Sequence, residues 1–366
     1  MNQFGNVFKN KKILITGDTG FKGSWLAIWL KELGAEIYGY ALPPKRPTDN
    51  FVTCGLEKKI VHIDGDIRDI NKLKDLFSEV KPDIAFHLAA QPLVLESYEN
   101  PHYTFETNIL GTVNFFEAVR ATSNVKAALN ITSDKCYKNN EWEWGYRETD
   151  PMGGKDPYSS SKSCSELITF SYENSFFHSE DACAIASARA GNVIGGGDWA
   201  ENRIIPDFFR SLKNEDDLIV RNPYSTRPWQ HVLEPLSGYL LLASRLLTDG
   251  KKYSGGWNFG PSDQMYFTVA ELIDQIVKTI GKGNLKYNLK ESGLHEAKML
   301  KLDISKAVYN LNWRPVLDFQ KLIEFTSNGY LDEFNGKRLY EARVNQIKEH
   351  TKLARVSNIP WAEGDI

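Results

Sequence analysis

The stretch KKILITGDTGFKGSWLAIWLKELG, residues 11–34, decides the fold of this chain. KKILITG is a short apolar run typical of a buried strand, and residues 23–34 have helical periodicity with Gly34 as a C-terminal cap. Glycines in the turn between them allow a tight bend and a close approach of the backbone to a pyrophosphate, which the helix N-terminus binds. We therefore predict a cofactor-binding phosphate loop, the alternative being a glycine-rich turn without a ligand. Its residues are Gly17, Thr19, Gly20, Phe21, Lys22 and Gly23.

Strand and helix patterns alternate through the rest of the first half. Short apolar runs predict strands at 35–42, 61–67, 83–90, 125–133 and 182–191. Helical periodicity predicts helices at 71–80, 104–122 and 159–177. Alternation of this kind is typical of an α/β fold in which helices cover both faces of a parallel sheet.

The pattern changes after residue 191, where three glycines and several prolines interrupt it. Helices are predicted at 232–248, 268–280 and near 318–333, with a strand at 285–290. We expect a smaller, mixed α/β C-terminal domain here. The tail after Tyr340 contains a helical stretch whose role the sequence leaves open.

Composition and charge narrow the class of protein. The 366 residues carry 44 Lys and Arg against 47 Asp and Glu, a net charge of −3, and 42% of them are hydrophobic. This balance is that of a folded protein and argues against a dedicated nucleic-acid binder. The chain shows no signal-peptide pattern and no apolar run of the roughly 20 residues that span a bilayer. Its four cysteines include no C-x-x-C pair, so we expect free thiols, no metal site, no membrane partner and a cytoplasmic location.

The adenosine side of the predicted site has an unusual feature. A dinucleotide site usually carries an acid at the end of the second strand, and this chain has Tyr40-Ala41-Leu42 there. Glu36 is the only acid in that strand, but it stands at the start of the strand, too far from its end to hold the adenine ribose. Two basic residues, Lys45 and Arg46, follow the strand. The choice between NAD and NADP therefore stays open on the residues alone. Asp66-Ile67, after the third strand, either flanks the adenine or forms a turn.

Two groups of residues predict proton chemistry. Tyr158 and Lys162 stand four apart at the start of a helix and share one face, so the ammonium favours a phenolate that can accept a proton from an alcohol. Ser133-Asp134-Lys135 ends the fifth strand, where ligands meet an open α/β sheet. Ser133 could hydrogen-bond the reacting hydroxyl, and Asp134 and Lys135 would add a proton donor and acceptor that hydride transfer alone does not need. The alternative for this triplet is an exposed, ion-paired turn.

Four motifs combine in one order along the chain. They are G-x-x-G-x-x-G at 17–23, HLAAQ at 87–91, YSSSK at 158–162 and RAGNVIG at 189–195. Together they resemble the extended short-chain dehydrogenase/reductases. With TSDKCY at 132–137, the chain most resembles the nucleotide-sugar 4,6-dehydratases, from about Lys11 to beyond Trp313.

This resemblance implies a Rossmann-type doubly wound parallel sheet whose chain leaves the sheet and returns to it. The dinucleotide-binding domain would comprise 8–190 plus about 230–257, and the nucleotide-sugar-binding domain 191–229 plus 258–345, with 346–366 as a tail. Further implied cofactor residues are Asp66, Ile67, Leu88, Ala89, Ala90, Gln91 and Asn108, with Tyr158 and Lys162. Implied substrate residues are Asn192, Arg203, Arg221, Arg227 and His231.

The implied reaction is a dehydration of CDP-D-glucose with NAD as cofactor, and NADP is the second choice of cofactor. This reaction would supply deoxysugars for lipopolysaccharide O-antigen. Tyr158 would take the C4 hydroxyl proton as hydride leaves C4, water would be lost across C5 and C6, and the hydride would return to C6. Asp134 fits the acid for the C6 hydroxyl, but Lys135 stands where the family usually has a glutamate base. A charged lysine accepts no proton. Either Lys135 is neutral through desolvation, which we prefer, or it orients other groups and stabilises the enolate.

The resemblance further implies a homodimer or homotetramer that packs through helices 104–122 and 159–177. Their apolar surface would come from Phe105, Ile109, Phe115 and Phe116, although these residues could instead face the sheet. Three other functions remain open: 4,6-dehydration of a dTDP- or GDP-linked sugar, 4-epimerisation, and dinucleotide binding by a regulator without turnover. Asp134-Lys135 argues against the epimerase, and the Tyr158/Lys162 pair argues against the regulator.

Overall fold

A computed structural model describes residues 1–262, 265–288 and 299–363. The first half alternates strands and helices as predicted. In chain order its elements are β1 (Lys12–Thr16), α1 (Phe21–Glu32), β2 (Glu36–Ala41), α2 (Asn50–Thr53), β3 (Val61–Asp64), α3 (Ile70–Val80), β4 (Ile84–His87), α4 (Val94–Glu99), α5 (Pro101–Phe105), α6 (Gly111–Arg120), β5 (Ala127–Ile131), α7 (Pro157–Ser175) and β6 (Ala184–Ala190).

The second half is more mixed and contains shorter strands. Its elements are β7 (Val193–Ile194), α8 (Ile204–Asn214), β8 (Asp217–Arg221), β9 (Thr226–Pro228), β10 (Gln230–His231), α9 (Leu233–Asp249), β11 (Gly255–Phe259), β12 (Tyr266–Thr268), α10 (Val269–Ile280), β13 (Asn284–Asn288), α11 (Phe319–Phe334) and α12 (Leu339–Val356). The strand predicted at 285–290 is β13, and its last two residues lie outside the described ones.

A seven-stranded parallel sheet, in the order β11-β6-β5-β4-β1-β2-β3, organises the molecule. Apolar residues pack on both faces, one face against α1 and α9 and the other against α3 and α6, which explains the continuous apolar runs of the inner strands. The chain order reverses between β1 and β4, and a ligand crevice opens where the order of a parallel sheet reverses. This architecture confirms the predicted Rossmann-type α/β fold.

The smaller C-terminal part has a core of its own. Side chains from α8, α10 and α11 fill it, among them Ile205, Phe209, Leu272 and Ile323. In between, α9 and β11 return to the main sheet, where β11 pairs with β6 in parallel. The domain boundaries stay a prediction. Helix α8 was not predicted, because Pro206 reads as a helix breaker although a proline is tolerated in the first helical turn.

The tail forms a helix that packs on the N-terminal part of the chain. The predicted boundary at residue 346 lies inside α12. Tyr340 donates a hydrogen bond to Glu32 over 2.7 Å, and the Gln3 side chain donates one to Thr351 over 2.9 Å. Helix α12 is therefore part of the folded body.

The long helix predicted at 104–122 is wrong as a single regular α-helix. A π-helical turn at Glu106–Leu110 separates α5 from α6. Within it the Asn108 amide exchanges hydrogen bonds with the Gln91 backbone at 2.8 and 3.0 Å, a tertiary contact that periodicity does not show. Within the described residues, no helix has the length and apolar character needed to cross a bilayer.

Candidate active site

A cavity of about 320 Å³ opens at the crevice between β1 and β4. It brings together most of the predicted cofactor residues with the tyrosine–lysine pair and one arginine of the second half. The predicted residues along its walls are Gly17, Thr19, Gly20, Phe21, Lys22, Gly23, Asp66, Ile67, Leu88, Ala89, Ala90, Gln91, Tyr158, Lys162 and Arg203.

The glycine-rich turn is shaped by close backbone contacts. Gly17 has a φ of +79°, and a Cβ there would lie 2.6 Å from the Ala89 nitrogen. A Cβ on Gly23 would lie 2.1 Å from the Gly17 carbonyl oxygen, so both positions require glycine. Helix α1 begins at Phe21, which directs its unpaired first-turn N–H groups toward the cavity. This arrangement fits the pyrophosphate of a dinucleotide.

The adenosine side lacks a free acid at the end of β2. The buried Tyr40 phenol donates a hydrogen bond to the Asp66 carbonyl over 2.9 Å. The Asp66 carboxylate is held by Arg68, with its closest contact at 2.7 Å, and this pairing lowers its pKa. Asp66 is thus both a turn residue and part of the cavity wall. Glu36 is exposed at the start of β2, as its position in the sequence indicated.

The tyrosine–lysine pair forms the reaction end of the cavity. Tyr158 is 8% and Lys162 is 6% exposed. Burial raises the pKa of the Tyr158 phenol to about 12, although the hydrogen bond with Ser133 acts to lower that pKa. Burial also lowers the pKa of the Lys162 ammonium to about 8, although Glu166 raises it. Both groups therefore lie in a low-dielectric environment, where a nearby charge shifts their pKa values strongly.

Ser133, Asp134 and Lys135 follow Thr132, which lines the cavity. Ser133 and Asp134 are buried, and the Ser133 hydroxyl donates a hydrogen bond to Asp134 Oδ1 over 3.0 Å. The second carboxylate oxygen, Oδ2, is buried without a partner. Burial raises the pKa of Asp134, opposed by Lys135, Ser133 and Lys22. The carboxyl therefore retains a proton more readily than an exposed one does, which suits a proton donor and excludes the exposed turn for Asp134.

A buried ion pair that the sequence analysis missed supports this end. Arg189 on β6 donates to Glu166 Oε2 over 2.7 Å, and Ser187 donates to the same oxygen over 2.6 Å. Thr132 donates to the other oxygen of Glu166. Burial alone would raise the pKa of Glu166, but these partners hold it below its ordinary value. The signal was present in the sequence, since Glu166 stands four residues after Lys162 on the same helix face.

Lys22 lies closer to the reacting groups than its place in the phosphate loop indicated. Its Nζ is 5.8 Å from the ring centroid of Tyr239, a buried tyrosine whose hydroxyl has no partner. Burial, together with the positive charges of Lys162 and Arg203, lowers the pKa of Lys22 to about 8. The charge of Asp134 acts in the opposite direction and raises it. The reaction end thus contains two lysines with lowered pKa values, and the Asp134 carboxyl, whose pKa is raised, is buried beside it and outside the cavity lining.

Arg203 is the predicted substrate residue that lines the cavity. It donates to Asp198 Oδ2 over 2.7 Å, and its charge lowers the pKa of Tyr158. Asn192 and Arg227 lie at short strands outside the cavity lining, where the Asn192 carbonyl accepts a hydrogen bond from Gln230. Arg221 is half-exposed on β8 and donates to Asn202.

Two predicted residues have structural positions instead. His231 does not line the cavity: it is fully buried, with its ring 6.0 Å from Trp25 and 5.5 Å from Phe325. Burial holds its pKa well below the ordinary value, so the predicted substrate contact disagrees with its place in the core. Asn108 lies behind Gln91, and its amide also donates to Ser161 over 2.9 Å. It therefore supports the cavity wall without lining it.

The chain matches a known family over most of its length. The family model described as GDP-mannose 4,6 dehydratase matches residues 14–326. CDP-glucose 4,6-dehydratase of Salmonella typhimurium is 52% identical over 314 residues, which cover 85% of this chain and 88% of the relative.

Solved structures share the fold at lower identity. UDP-glucose-4-epimerase from Stenotrophomonas maltophila, with bound NAD and formylated UDP-arabinopyranose, matches with a TM-score of 0.78 and 20% identity over 89% of this chain and 100% of that chain. dTDP-glucose 4,6-dehydratase from Bacillus anthracis in complex with NAD matches with a TM-score of 0.73 and 19% identity over 90% of this chain and 99% of that chain. At this identity the likeness shows the fold.

Proposed function

Because this chain belongs to the nucleotide-sugar 4,6-dehydratase family, we propose that it converts CDP-D-glucose to CDP-4-keto-6-deoxy-D-glucose and water. The observation that carries the proposal is Asp134, a buried carboxyl with a raised pKa that lies at the same end of the site as Tyr158. Hydride transfer to and from C4 needs no such acid, whereas loss of a hydroxyl as water does. The 52% identity with the Salmonella relative supports CDP-glucose as substrate.

The cofactor of this reaction is NAD, which the cavity fits. The glycine turn and the first turn of α1 would hold the pyrophosphate, Asp66 and Ile67 would flank the adenosine, and Lys162 would bind the nicotinamide ribose. Bound there, NAD+ would supply the hydride acceptor for C4 of the sugar and, once reduced, the hydride donor for C6. Arg46 also lines the cavity, and its charge is partly balanced by Glu201 at 3.6 Å and Asp49 at 3.9 Å.

The residues of this chain move the protons. Tyr158 would act as a phenolate, whose negative charge the Lys162 ammonium would stabilise, and would accept the proton of the C4 hydroxyl. Asp134 donates a proton to the C6 hydroxyl, which leaves as water. In total, the sugar loses one water molecule: the C4 hydroxyl proton passes to Tyr158, the C6 hydroxyl leaves with the proton from Asp134, and the proton taken from C5 returns to C5 when the hydride reaches C6. The hydrogen bond from Ser133 to Asp134 holds the carboxyl in place between these steps.

The C5 proton requires a base, and we propose Lys135, which must be neutral when it accepts that proton. Lys135 is half-buried directly beside Asp134. Replacement by alanine tests the assignment: if Lys135→Ala eliminated water at the wild-type rate, Lys135 would be neither the base nor the group that stabilises the enolate. Lys22 lines this end of the cavity and would then be the next lysine to replace.

The substrate end is built from cations. Arg203 in the cavity, with Arg221, Arg227 and Asn192 nearby in the second half, would bind the pyrophosphate of the nucleotide sugar, since a guanidinium suits bidentate contact with phosphate oxygens. The division of the chain into a dinucleotide-binding part and a sugar-binding part belongs to this proposal.

We also propose a homo-oligomer that packs through α5, α6 and α7. Leu167 and Phe170 on α7 are 57% and 66% exposed, Phe105 on α5 is 36% exposed, and Leu110 in the π-helical turn between α5 and α6 is 54% exposed. Phe115 and Phe116 do not contribute, because both are fully buried against the sheet. A cytoplasmic location is supported by the four unpaired cysteines.

A substrate panel tests the proposed function. Purified protein is incubated with NAD+ or NADP+ and with CDP-glucose, dTDP-glucose, UDP-glucose or GDP-mannose, and keto sugars are measured. The proposal predicts a 4-keto-6-deoxy product from CDP-glucose with NAD+. If another nucleotide sugar were converted in preference, that sugar would replace CDP-glucose as the proposed substrate. A 4-epimer formed without loss of water would contradict the proposed dehydration.

A further inference from the structure

Arg343 on α12 is a fully buried cation held by neutral groups. Its Nε donates to Asn50 Oδ1 over 3.0 Å, and its Nη1 donates to the Gly329 carbonyl over 2.8 Å. Its guanidinium carbon lies 5.3 Å from the ring centroid of Trp25. The third nitrogen, Nη2, is buried without a hydrogen-bond partner. Burial lowers the pKa of Arg343 below its ordinary value.

Such a position is costly for a helix that needs only to pack. A buried charge costs free energy unless it is paired, and the part of the chain described here shows no carboxylate in ion-pair contact with Arg343. A leucine or methionine would cover Trp25 without that cost. A role in holding neighbouring groups in place would explain why a guanidinium is buried here.

Arg343 contacts the glycine loop 195–197 at close range. A Cβ on Gly196 would lie 2.6 Å from Arg343 Nη1 and 2.5 Å from the Gly329 carbonyl carbon, so the loop fits between them only as glycine. The Gly196 carbonyl accepts a hydrogen bond from Trp25 Nε1 over 3.0 Å. A Cβ on Gly197 would lie 2.5 Å from Asn50 Oδ1, the acceptor of the Arg343 hydrogen bond.

This loop leads directly to the substrate end of the cavity. Asn50, Gly197 and Asp198 all line the cavity. The Asp198 carboxylate holds Arg203, and the Asp198 carbonyl accepts a hydrogen bond from the Tyr330 hydroxyl over 2.6 Å. A displacement of the loop would therefore move Arg203 relative to Tyr158.

We propose that Arg343 is a positioning residue of the nucleotide-sugar site: it fixes the loop 195–198 against α11 and α2, and through Asp198 it places Arg203 against the substrate. The inference rests on the proposed function of this cavity. It assigns a role in the site to α12, which lies beyond the residues 14–326 that match the family.

The test compares Arg343→Met, Arg203→Gln and the double variant, with Arg338→Met as the control, an exposed arginine at the N-cap of the same helix. We expect Arg343→Met to raise KM for CDP-glucose about tenfold or more, as Arg203→Gln does, with a smaller change in kcat. We expect the double variant to be no worse than Arg203→Gln alone, because both changes remove the same interaction. Added guanidinium ion, but not an equal concentration of NaCl, should restore KM in Arg343→Ala.

Three results decide the matter. Additive effects of the two substitutions, or a loss of thermal stability with unchanged KM, would make Arg343 a structural residue only and overturn the inference. If Arg343→Met does not fold, Arg343→Lys keeps the charge without the fork of donors and must show the same rise in KM. A wild-type protein that leaves CDP-glucose unchanged would instead refute the proposed function itself.

Discussion

The reaction end and the substrate end of the cavity are held in different ways. Tyr158, Lys162 and Asp134 are at most 8% exposed, and the buried Glu166–Arg189 pair lies behind them. Arg203 and Arg221 have side chains that are 36% and 51% exposed, and their hydrogen bonds join them to single carboxylate or amide groups. Buried, closely packed groups keep one geometry, whereas exposed arginines adapt to a ligand. Substitutions should therefore cost more at the reaction end than at the substrate end.

The largest effect is expected for Tyr158→Phe. Removal of the phenolic oxygen deletes the proton acceptor for the C4 hydroxyl and should lower kcat by roughly 10²–10⁴. Calorimetric binding of NAD+ and the melting temperature should stay close to those of the wild type. A loss of less than about tenfold would remove Tyr158 from its assigned role.

Glu166→Gln should produce the largest loss of stability. It leaves the Arg189 guanidinium buried without its carboxylate, which costs about 3–5 kcal/mol of unfolding free energy. Urea unfolding measures this loss, with exposed Glu79→Gln on α3 as control. The double variant Glu166→Met, Arg189→Met should lose less than Glu166→Gln, because no unpaired charge remains. If the single variant were as stable as the control, the ion pair would not support the reaction end.

A smaller, pH-dependent effect is expected for Lys22→Met. The folded pKa of Lys22 is about 8 and its ordinary value is 10.5. Between these values the unfolded chain binds more protons than the folded one, so the stability of the wild type rises with pH relative to Lys22→Met. We expect a rise of about 1–3 kcal/mol from below pH 8 to above pH 10. Parallel pH curves of urea unfolding for the two proteins would show that Lys22 is solvated.

The smallest effect is expected at the substrate end. Arg221→Gln should raise KM for CDP-glucose by about two- to fivefold and leave kcat unchanged, because an exposed ionic contact contributes little. Arg245→Gln on α9, whose side chain is 43% exposed, is the matched control. If Arg221→Gln raised KM as much as Arg203→Gln does, the contrast between a rigid reaction end and an adaptable substrate end would be wrong.

The same contrast explains what the sequence predicts. The strands, the glycine turn and the Tyr158/Lys162 pair follow from local patterns, since a strand–turn–helix unit and a spacing of four residues each define their own geometry. The fold class was accordingly predicted correctly, and most of the residues predicted to bind the cofactor line the cavity.

The missed features depend on contacts between distant residues. His231 belongs to the same stretch as Arg227, but the pairing of β10 with β7 places it in the core. The approach of Arg343 to Gly196 joins residues 147 positions apart, and no local pattern contains it. The π-helical turn at Glu106–Leu110 likewise accompanies the contact of Asn108 with Gln91.

The central claim is that one active site removes a hydride from C4 and delivers it to C6 of the same sugar. CDP-glucose deuterated at C4 tests it directly when the product is formed with unlabelled NAD+ and analysed by mass spectrometry and NMR. The account predicts a 4-keto-6-deoxy product that carries the deuterium at C6. Deuterium found back at C4 of a 4-epimer, or lost from the sugar altogether, would contradict it.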